Sequence, residues 1–557
     1  MSAVRTEIRQ GSYADSVVLM QLQSDLARLE GVRDVAVVMA TPANLELLEA
    51  SRLLTEEAQS AKQDDLVIVV SAESDEQASE ALARVDSLLA RRSTSEVEDY
   101  RPKSLRAAKQ MAPQADWISI SVPGKWAGDL AHEAVDLGLN VFLYSDHVSL
   151  EEERSLKIHS SAEGRLVLGP DCGTAIVGGV GFGFANRVCR GPVGIVAASG
   201  TGIQAITSRV HEMGSGISHA IGTGGRDLST EVGGSTTKQA LDLLARDAAT
   251  EVIVLASKPP EPAVAAKLLR TAHSLDKPVI VQFADYPAPA PSIGNLVFTR
   301  SLSEAADTAV DLARERSQGV QSRRTAYCGG TLHGLFAGGT LALEAVQGLR
   351  PFLDPLHTNL SPSERAPSGL ADALDAHSIL DLGADEYTAG RLHPMIDPTL
   401  RLQMLERIGN QNQQGVVLLD VVLGSGSHSD PTAELAPLIR SIRERSRMEF
   451  VVVIIGTDDD PQDRQKVIST LEAAGARLAS SMSEAIEIVV ALLSPPVEAD
   501  STSIPLSSLQ VSQAINVGLE SFYNELVEQE VATVQMEWRP PGGGNPEINS
   551  ILKRMRA

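Results

Sequence analysis

Two distant halves of the chain carry one four-part pattern, and this repetition limits the fold more than any other feature. AASGTGIQAI (197–206) is answered by FAGGTLALEA (336–345), each a strand end running into a glycine-rich helix start. IGTGGRDLS (221–229) is answered by LDLGADEYT (380–388), and EVIVLASKPPEP (251–262) by GVVLLDVVLGSGSHSDP (415–431). KPVIVQFAD (277–285) is answered by FVVVIIGTDDDPQ (450–462). The apolar runs have the length of buried strands, and the segments between them have helical spacing. Strand–helix alternation of this kind builds parallel sheets with ligand sites at the carboxyl ends of the strands. The pattern predicts two similar doubly wound domains, 191–316 and 325–494, with a long loop (about 350–377) inserted in the second. The alternative is that any two flavodoxin-like domains share strand-then-glycine punctuation.

The flanks read differently. In residues 1–92, VRDVAVVMA and DDLVIVV are strand-like, while DSVVLMQLQSDLARL and DEQASEALARVDSLLA have helical spacing. This predicts a small α+β domain of split-βαβ type, followed by a charged linker, RRSTSEVEDYRPKS (91–104). Residues 100–190 alternate DWISISV, AGDLAHEAVDLGL, NVFLYS and RLVLGP, as a Rossmann-like domain would. In the extension 495–557, INVGLESFYNELV and EWRPPGGGN predict a capping helix and a loop. A chain of 557 residues needs several cores, and 3% aromatic content suits close-packed α/β layers.

A formal charge of −24 argues against nucleic acid and anionic membranes as partners. No apolar run reaches the roughly 18 residues of a spanning helix. Three cysteines, Cys172, Cys189 and Cys328, form no disulfide framework, so a reducing cytoplasm is expected. Neither HExxH nor a Cys/His ligand spacing occurs, so no metal is expected, and no GxxxxGK[ST] loop for ATP is present.

Chemistry is expected at strand ends. Ser199, Gly200, Thr201 and Gly202 open a helix, where free N–H groups and about half a positive charge favour phosphate or carboxylate. The alternative is a tight turn with Ser199 or Thr201 as N-cap. Gly424, Ser425, Gly426, Ser427 and His428 follow an apolar strand in the same way. Were the repeats to face each other, both helix ends would point at one anion. His428 is then an acid–base group or a cap residue. Gly225 and Arg226 in GTGGRDLS, and Arg391 and His393 in DLGADEYTAGRLHPMIDP, lie in loops just after strands. Arginine there suits bidentate capture of an anion, or pairs with Asp227, Asp385 or Glu386. Cys172 in GPDCGTAI has no base beside it in sequence and reads as a buried loop residue.

Over residues 100–490 the chain resembles the succinyl-CoA synthetase superfamily. ADWISISVPGKWAGDLAHEAVDLGLNVFLYS, LVLGPDCGTAI, GPVGIVAASGTG and IGTGGRDLS are similar to the α subunit, and LDLGADEYT and GVVLLDVVLGSGSHSDP to the carboxy-terminal β-subunit domain. The resemblance implies an α/β fold: a Rossmann-like CoA-binding-type domain (100–190), then two flavodoxin-like parallel-sheet domains. Ligases of this superfamily carry phosphate on a histidine held between two helix N-termini, which match Ser199–Gly202 and Gly424–His428. The histidine belongs after KPVIVQFA, but no histidine stands between His273 and His333. The acidic partner expected after VIVLA is replaced by Ser257-Lys258, and the CoA loop is absent from residues 1–92. The resemblance thus implies the architecture and the anion pocket without phosphohistidine relay, ATP use or CoA binding.

GSYADSVVLMQLQSDLARLEGV, MATPANLELL, DEYTAGRLHPMIDP, GSHSDP, INVGLESFYNELV and EWRPPGGGN are similar to one subgroup, the FdrA-like proteins. That resemblance implies a subunit of an oxamate carbamoyltransferase, a transferase working with other subunits in purine nitrogen catabolism. It would convert oxalurate and phosphate to oxamate and carbamoyl phosphate. Ser199–Gly202, Gly225 and Gly424–Ser427 would cradle phosphate, Arg226 or Arg391 would hold the carboxylate, and His428 or His393 would move a proton. The rivals are an acyl-CoA synthetase with a nonstandard relay, and a scaffold subunit without catalysis.

Overall fold

The computed structural model describes residues 3–9, 16–62, 65–90, 101–317, 327–361, 376–411, 414–493 and 504–540. Most of the linker 91–104, part of the loop 350–377 and the glycines of EWRPPGGGN lie outside the described residues. The chain divides into two compact units, Met1–Pro102 and Lys103–Ala557.

The first unit runs β1 (Ala3–Arg9), α1 (Ser16–Ala27), β2 (Val32–Met39), α2 (Pro42–Ala50), α3 (Glu56–Gln59), β3 (Leu66–Ala72), α4 (Asp75–Ala83) and α5 (Val85–Ala90). Its sheet has the order β1-β3-β2, with β3 antiparallel to both neighbours, so β1 and β2 are parallel around it. This is a split-βαβ arrangement. Every residue of β3 is buried, as its unbroken apolar run requires. β1 is polar (AVRTEIR), and its register against β3 supplies what its sequence does not. Ser74 and Gln77 form a reciprocal capping box at the start of α4.

The second unit holds three sheets. The first is built from α6 (Leu105–Met111), β4 (Trp117–Ile120), α7 (Gly124–Asp136), β5 (Asn140–Leu143), α8 (Leu150–Ala162) and β6 (Val167–Leu168). The second follows with β7 (Thr174–Val177), β8 (Val180–Gly183), β9 (Arg190–Ala197), α9 (Gly200–Glu212), β10 (Ile217–Gly222), α10 (Ser235–Arg246) and β11 (Val252–Ser257). It ends with α11 (Pro262–His273), β12 (Val279–Phe283), β13 (Ser292–Ile293), β14 (Leu296–Phe298) and α12 (Leu302–Ser317). The third comprises β15 (Thr331–Phe336), α13 (Gly339–Leu349), β16 (Leu356–Thr358), β17 (His377–Asp381), α14 (Asp385–Thr388) and α15 (Thr399–Gln411). It continues with β18 (Gln414–Val422), α16 (Leu435–Arg445), β19 (Arg447–Ile455), α17 (Arg464–Ala473), β20 (Arg477–Ala479) and α18 (Met482–Leu493). The extension contributes β21 (Gln513–Val517), α19 (Glu520–Glu528) and β22 (Ala532–Met536).

The second and third sheets share one strand order. In the second, β10-β9-β11-β12-β14 are parallel neighbours; in the third, β17-β15-β18-β19-β20 are. Counted along the chain both orders read 2-1-3-4-5, the flavodoxin-like order. Each quoted segment pair falls on matching positions of these sheets. The antiparallel hairpin β7–β8 widens the second sheet at the β10 edge, and β16 widens the third beside β17.

The extension is more than the expected capping helix and loop. β21 and β22 join the first sheet in the order β22-β21-β4-β5-β6, all parallel. The indole N–H of buried Trp117 donates to the carbonyls of Ser508 and Gln510 at 3.2 and 3.1 Å, tying β4 to the segment before β21. Phe522 of α19 packs edge-on against Tyr144 at 4.9 Å and Phe184 at 6.0 Å. One apolar core then runs from Trp117 and Phe142 through Leu255 and Leu268 to Phe352 and Ile486, joining all three sheets.

Two histidines in these cores link stability to pH. His219 (β10) and His333 (β15) are buried, and burial pushes each pKa down to about 4, against a partial upward pull from Asp247 on His219. Between the ordinary value of about 6.5 and this lower one, the unfolded chain binds protons that the native chain refuses. Their contribution is therefore present above about pH 6.5 and lost on descent to about pH 4, at most roughly 3 kcal/mol for each histidine. Denaturant melts between pH 7 and 4 should show this fall, and His333→Gln should flatten part of it.

Candidate functional site

The turn from β9 into α9 is the open helix end of the second sheet. Ser199 is extended (φ −124°, ψ 120°) and its Oγ accepts from Gly202 N at 3.2 Å, so it is the N-cap. Its hydroxyl also lies 3.3 Å from that of Thr201. Among the described residues, the N–H groups of Gly200 and Thr201 have no acceptor. A Cβ on Gly200 would lie 3.2 Å from Thr174 Oγ1, so the bare glycine lets the helix start sit against β7.

The loop after β10 is committed to structure. Lys157 is buried between Glu153 (3.1 Å) and Asp227 (2.7 Å), both fully buried. Asp227 also accepts from Thr236 N (3.2 Å), Thr237 N (2.9 Å) and Thr237 Oγ1 (2.6 Å), so it caps α10, whose own N-cap position is Gly234. Arg226 pairs with Glu153 at 2.9 Å and donates to Val148 O at 2.7 Å. The expected carboxylate clamp is thus a bolt between the first and second sheets. Its partner is Glu153, a residue of the charged helix α8 that the sequence reading passes over, and not Asp227. A Cβ on Gly225 would lie 3.1 Å from Asp171 Oδ2, so a carboxyl already stands beside the proposed cradle glycine. Burial first, and then Asp146, raise the pKa of Asp171. Cys172 donates to Gly222 O at 3.3 Å, and burial pushes its thiol up to about 12, which removes it as a nucleophile.

The third sheet reaches the matching place by other means. Leu423–Pro431 is a loop, and α16 begins only at Leu435. Gly424 N donates to Gln462 Oε1 (3.0 Å), while Gln462 Nε2 donates to the carbonyls of Gly424 and His428, both at 3.1 Å. Ser427 N donates back to Gly424 O at 3.1 Å. The expectation that Gly424–His428 opens a helix is therefore corrected: this loop is pinned by Gln462, and Gly426 (φ +97°) has empty space where a Cβ would stand.

The helix start that does match is Gly338–Gly339 at α13, and carboxyls crowd it. The carboxylate of Asp420, fully buried on β18, accepts from Ala337 N and Gly338 N at 2.8 Å each. Buried Arg401 donates to Asp420 O at 2.5 Å and to Oδ1 at 3.3 Å. Asp381, at the end of β17, also crowds this point, since a Cβ on Gly339 would lie 2.6 Å from its Oδ2. Burial and then the neighbouring Asp420 charge raise the pKa of Asp381, against the Gly383 N–H that it accepts at 2.9 Å. The carboxyls of Asp420 and Asp381 beside the start of α13 oppose an incoming anion.

His393, Arg391 and His428 gather beside this buried pair. His428 N donates to Met395 O at 2.8 Å, which joins the two loops. His393 Nδ1 accepts from Met395 N at 3.3 Å, so the neutral ring carries its proton on Nε2, which faces Gly383. Arg391 is exposed. Asp397 is held below the usual carboxylate range, first by hydrogen bonds from Thr399 and then by His428 and Arg391. A cavity of about 30 Å³, room for a water or two, separates His428 from Arg401. Among the described residues, no hydrogen bond or ion pair joins this cluster to Ser199–Gly202.

Over 496 residues the chain is 36% identical to the uncharacterized protein YahF of Escherichia coli K12, covering 86% of this chain and 96% of that one. The chain belongs to the YahF family. Family models match residues 1–104 (AllF, heavy metal-associated domain), 190–284 (CoA binding domain) and 335–492 (CoA-ligase). Identity is 28% over 176 residues to succinate–CoA ligase [ADP-forming] subunit alpha 2 of Archaeoglobus fulgidus, covering 30% of this chain and 59% of that one. It is 28% over 172 residues to malate–CoA ligase subunit alpha of Methylorubrum extorquens, covering 29% and 57%. The chain spans less than two thirds of these ligase subunits.

These relatives overturn the carbamoyltransferase expectation, because the catalysts they name are CoA ligases. The metal named for the first module finds no soft donors there: residues 1–104 contain neither cysteine nor histidine. Among the described residues no group of three or more His, Cys, Asp or Glu could hold a metal ion. Among them, too, no helix is long and apolar enough to cross a membrane.

Arg226→Ala should separate structure from binding. It strips one partner from fully buried Glu153 and should lower stability by about 2–4 kcal/mol in a denaturant melt. Phosphate affinity, measured by calorimetry, should stay at the wild-type value; a selective loss of affinity at unchanged stability would restore Arg226 to the binding site.

Proposed function

We propose that the chain is a CoA-ligase-like protein that holds a phosphate group, of CoA or of an acyl phosphate, at the start of α9. One observation carries this reading. Within the stretch similar to CoA-binding domains, a 13-residue helix presents two N–H groups, at Gly200 and Thr201, that have no acceptor among the described residues. The Ser199 and Thr201 hydroxyls flank them, and Gly202, whose N–H Ser199 takes, completes the turn. Such a helix end binds phosphate through paired amides and its partial positive charge.

Ligation of a carboxylate to a thiol proceeds through an activated acyl group, here an acyl phosphate. Attack by the thiol, which gives its proton to solvent, forms the C–S bond and breaks the C–O bond, and phosphate leaves with the electron pair. Amides aimed at that phosphate stabilise it without any protein nucleophile. The lack of histidine between His273 and His333 supports a phosphate held without a covalent bond on that loop. His393 and His428 make no hydrogen bond to the α9 turn and receive no step here. The FdrA-like segments, together with the AllF-type first module, support grouping the YahF family with the FdrA-like proteins.

Thr201→Pro tests the assignment, because proline is tolerated in the first turn of a helix and the change deletes one open N–H together with its flanking hydroxyl. A charge-assisted hydrogen bond of about 1.5–3 kcal/mol predicts a loss of roughly 10- to 150-fold in affinity for CoA or phosphate by calorimetry, with an unchanged melting temperature. Equal affinity in the variant would remove α9 as the site. Failure of the wild-type chain to bind either probe would remove the reading itself.

A further inference from the structure

The opposite end of the third sheet holds a second candidate. At the amino ends of β18, β19 and β20 lies a cavity of about 380 Å³, within the range of small-molecule sites. Arg443 from the last turn of α16, Arg447 opening β19 and Arg477 opening β20 all line it. One carboxylate stands among them: Glu449 Oε2 lies 2.9 Å from Arg443 and 3.3 Å from Arg477. Among the described residues Arg447 has no ion-pair partner. Three guanidinium groups and one carboxylate leave two positive charges uncompensated, in a chain whose formal charge is −24.

The surroundings fit these charges to a ligand. Gly475 (φ +92°) leaves room for Arg443, since a Cβ there would lie 2.6 Å from Arg443 Nε. Cys328 closes one wall as a neutral thiol: burial raises its pKa, and Sγ donates to Arg447 O at 3.3 Å. The Tyr327 side chain, half exposed, offers an aromatic face, and Met448 adds apolar surface. A phosphate monoester carries close to two negative charges at pH 7, and guanidinium forks suit its oxygens.

We propose that this cavity binds a phosphate monoester of nucleotide size, the phosphate on Arg447 and Arg477 and the ring against Tyr327. The site is independent of α9 and of the function proposed for it. Calorimetry on the full chain with AMP, adenosine and inorganic phosphate tests it. AMP should bind saturably and more tightly than phosphate, adenosine should not bind, and added salt should weaken AMP. Arg447→Ala and Arg477→Ala should each weaken AMP roughly tenfold or more, whereas Thr201→Pro should leave it unchanged. Glu449→Gln, with a melting curve to verify folding, should tighten AMP, because it removes the carboxylate that competes for two of the arginines. AMP affinity unchanged in both arginine variants, or no saturable AMP binding up to about 5 mM, would overturn the proposal. Phosphate binding more tightly than AMP in the Thr201→Pro chain, where the α9 turn is weakened, would overturn the nucleotide-sized occupant.

Discussion

Asp420 sits fully buried in an otherwise apolar strand and takes two backbone N–H groups at the start of α13 together with the guanidinium of Arg401. Removing either charged partner would strand the other in a dry interior, an imbalance that costs about 3–5 kcal/mol. The pair therefore fixes how α13 enters the sheet and where α15, which carries Arg401, lies beneath the loops. It also sets the charge beside the start of α13. Carboxyls beside the start of α13 repel a phosphate, while a serine hydroxyl caps the equivalent end at α9. Two sheets of the same strand order thus differ in the charge that stands beside one turn.

Much of this architecture is readable from the residues alone. Apolar runs such as VIVLA and VVLLDVV, the second broken only by Asp420, became central parallel strands, and the glycines behind them became turns. The paired segments fall on matching strands because both halves obey one spacing. What escaped has physical causes. β1 is half-polar and lies at an edge, so only its pairing with β3 defines it. The β21–β4 pair joins residues about four hundred positions apart, beyond any local pattern. Glu153 and Lys157 are i, i+4 on a charged helix that no motif singles out, yet both are buried against Asp227. Asp420 left a visible mark, a lone acid inside an apolar strand, and that mark points to the crowded turn.

The candidate residues divide along the same line. Ser199–Gly202 keep their open donors, whereas Arg226 and Gly424–Ser427 are held by internal partners. Loops that look alike in sequence, glycine and hydroxyl residues after a strand, diverge because a helix follows at once in one case and eleven residues later in the other. Similarity to CoA ligases over the second and third sheets accords with the open turn at α9.

The pairing of β21 with β4 has a consequence for synthesis. A ribosome delivers Trp117 and its strand long before residues 513–536, so the first sheet must wait with an open edge while about four hundred further residues emerge. During that interval the edge is available to any passing strand, and only the late arrival of β21 and β22 seals it. The nascent chain is thereby the form in which this protein is most exposed to misassembly.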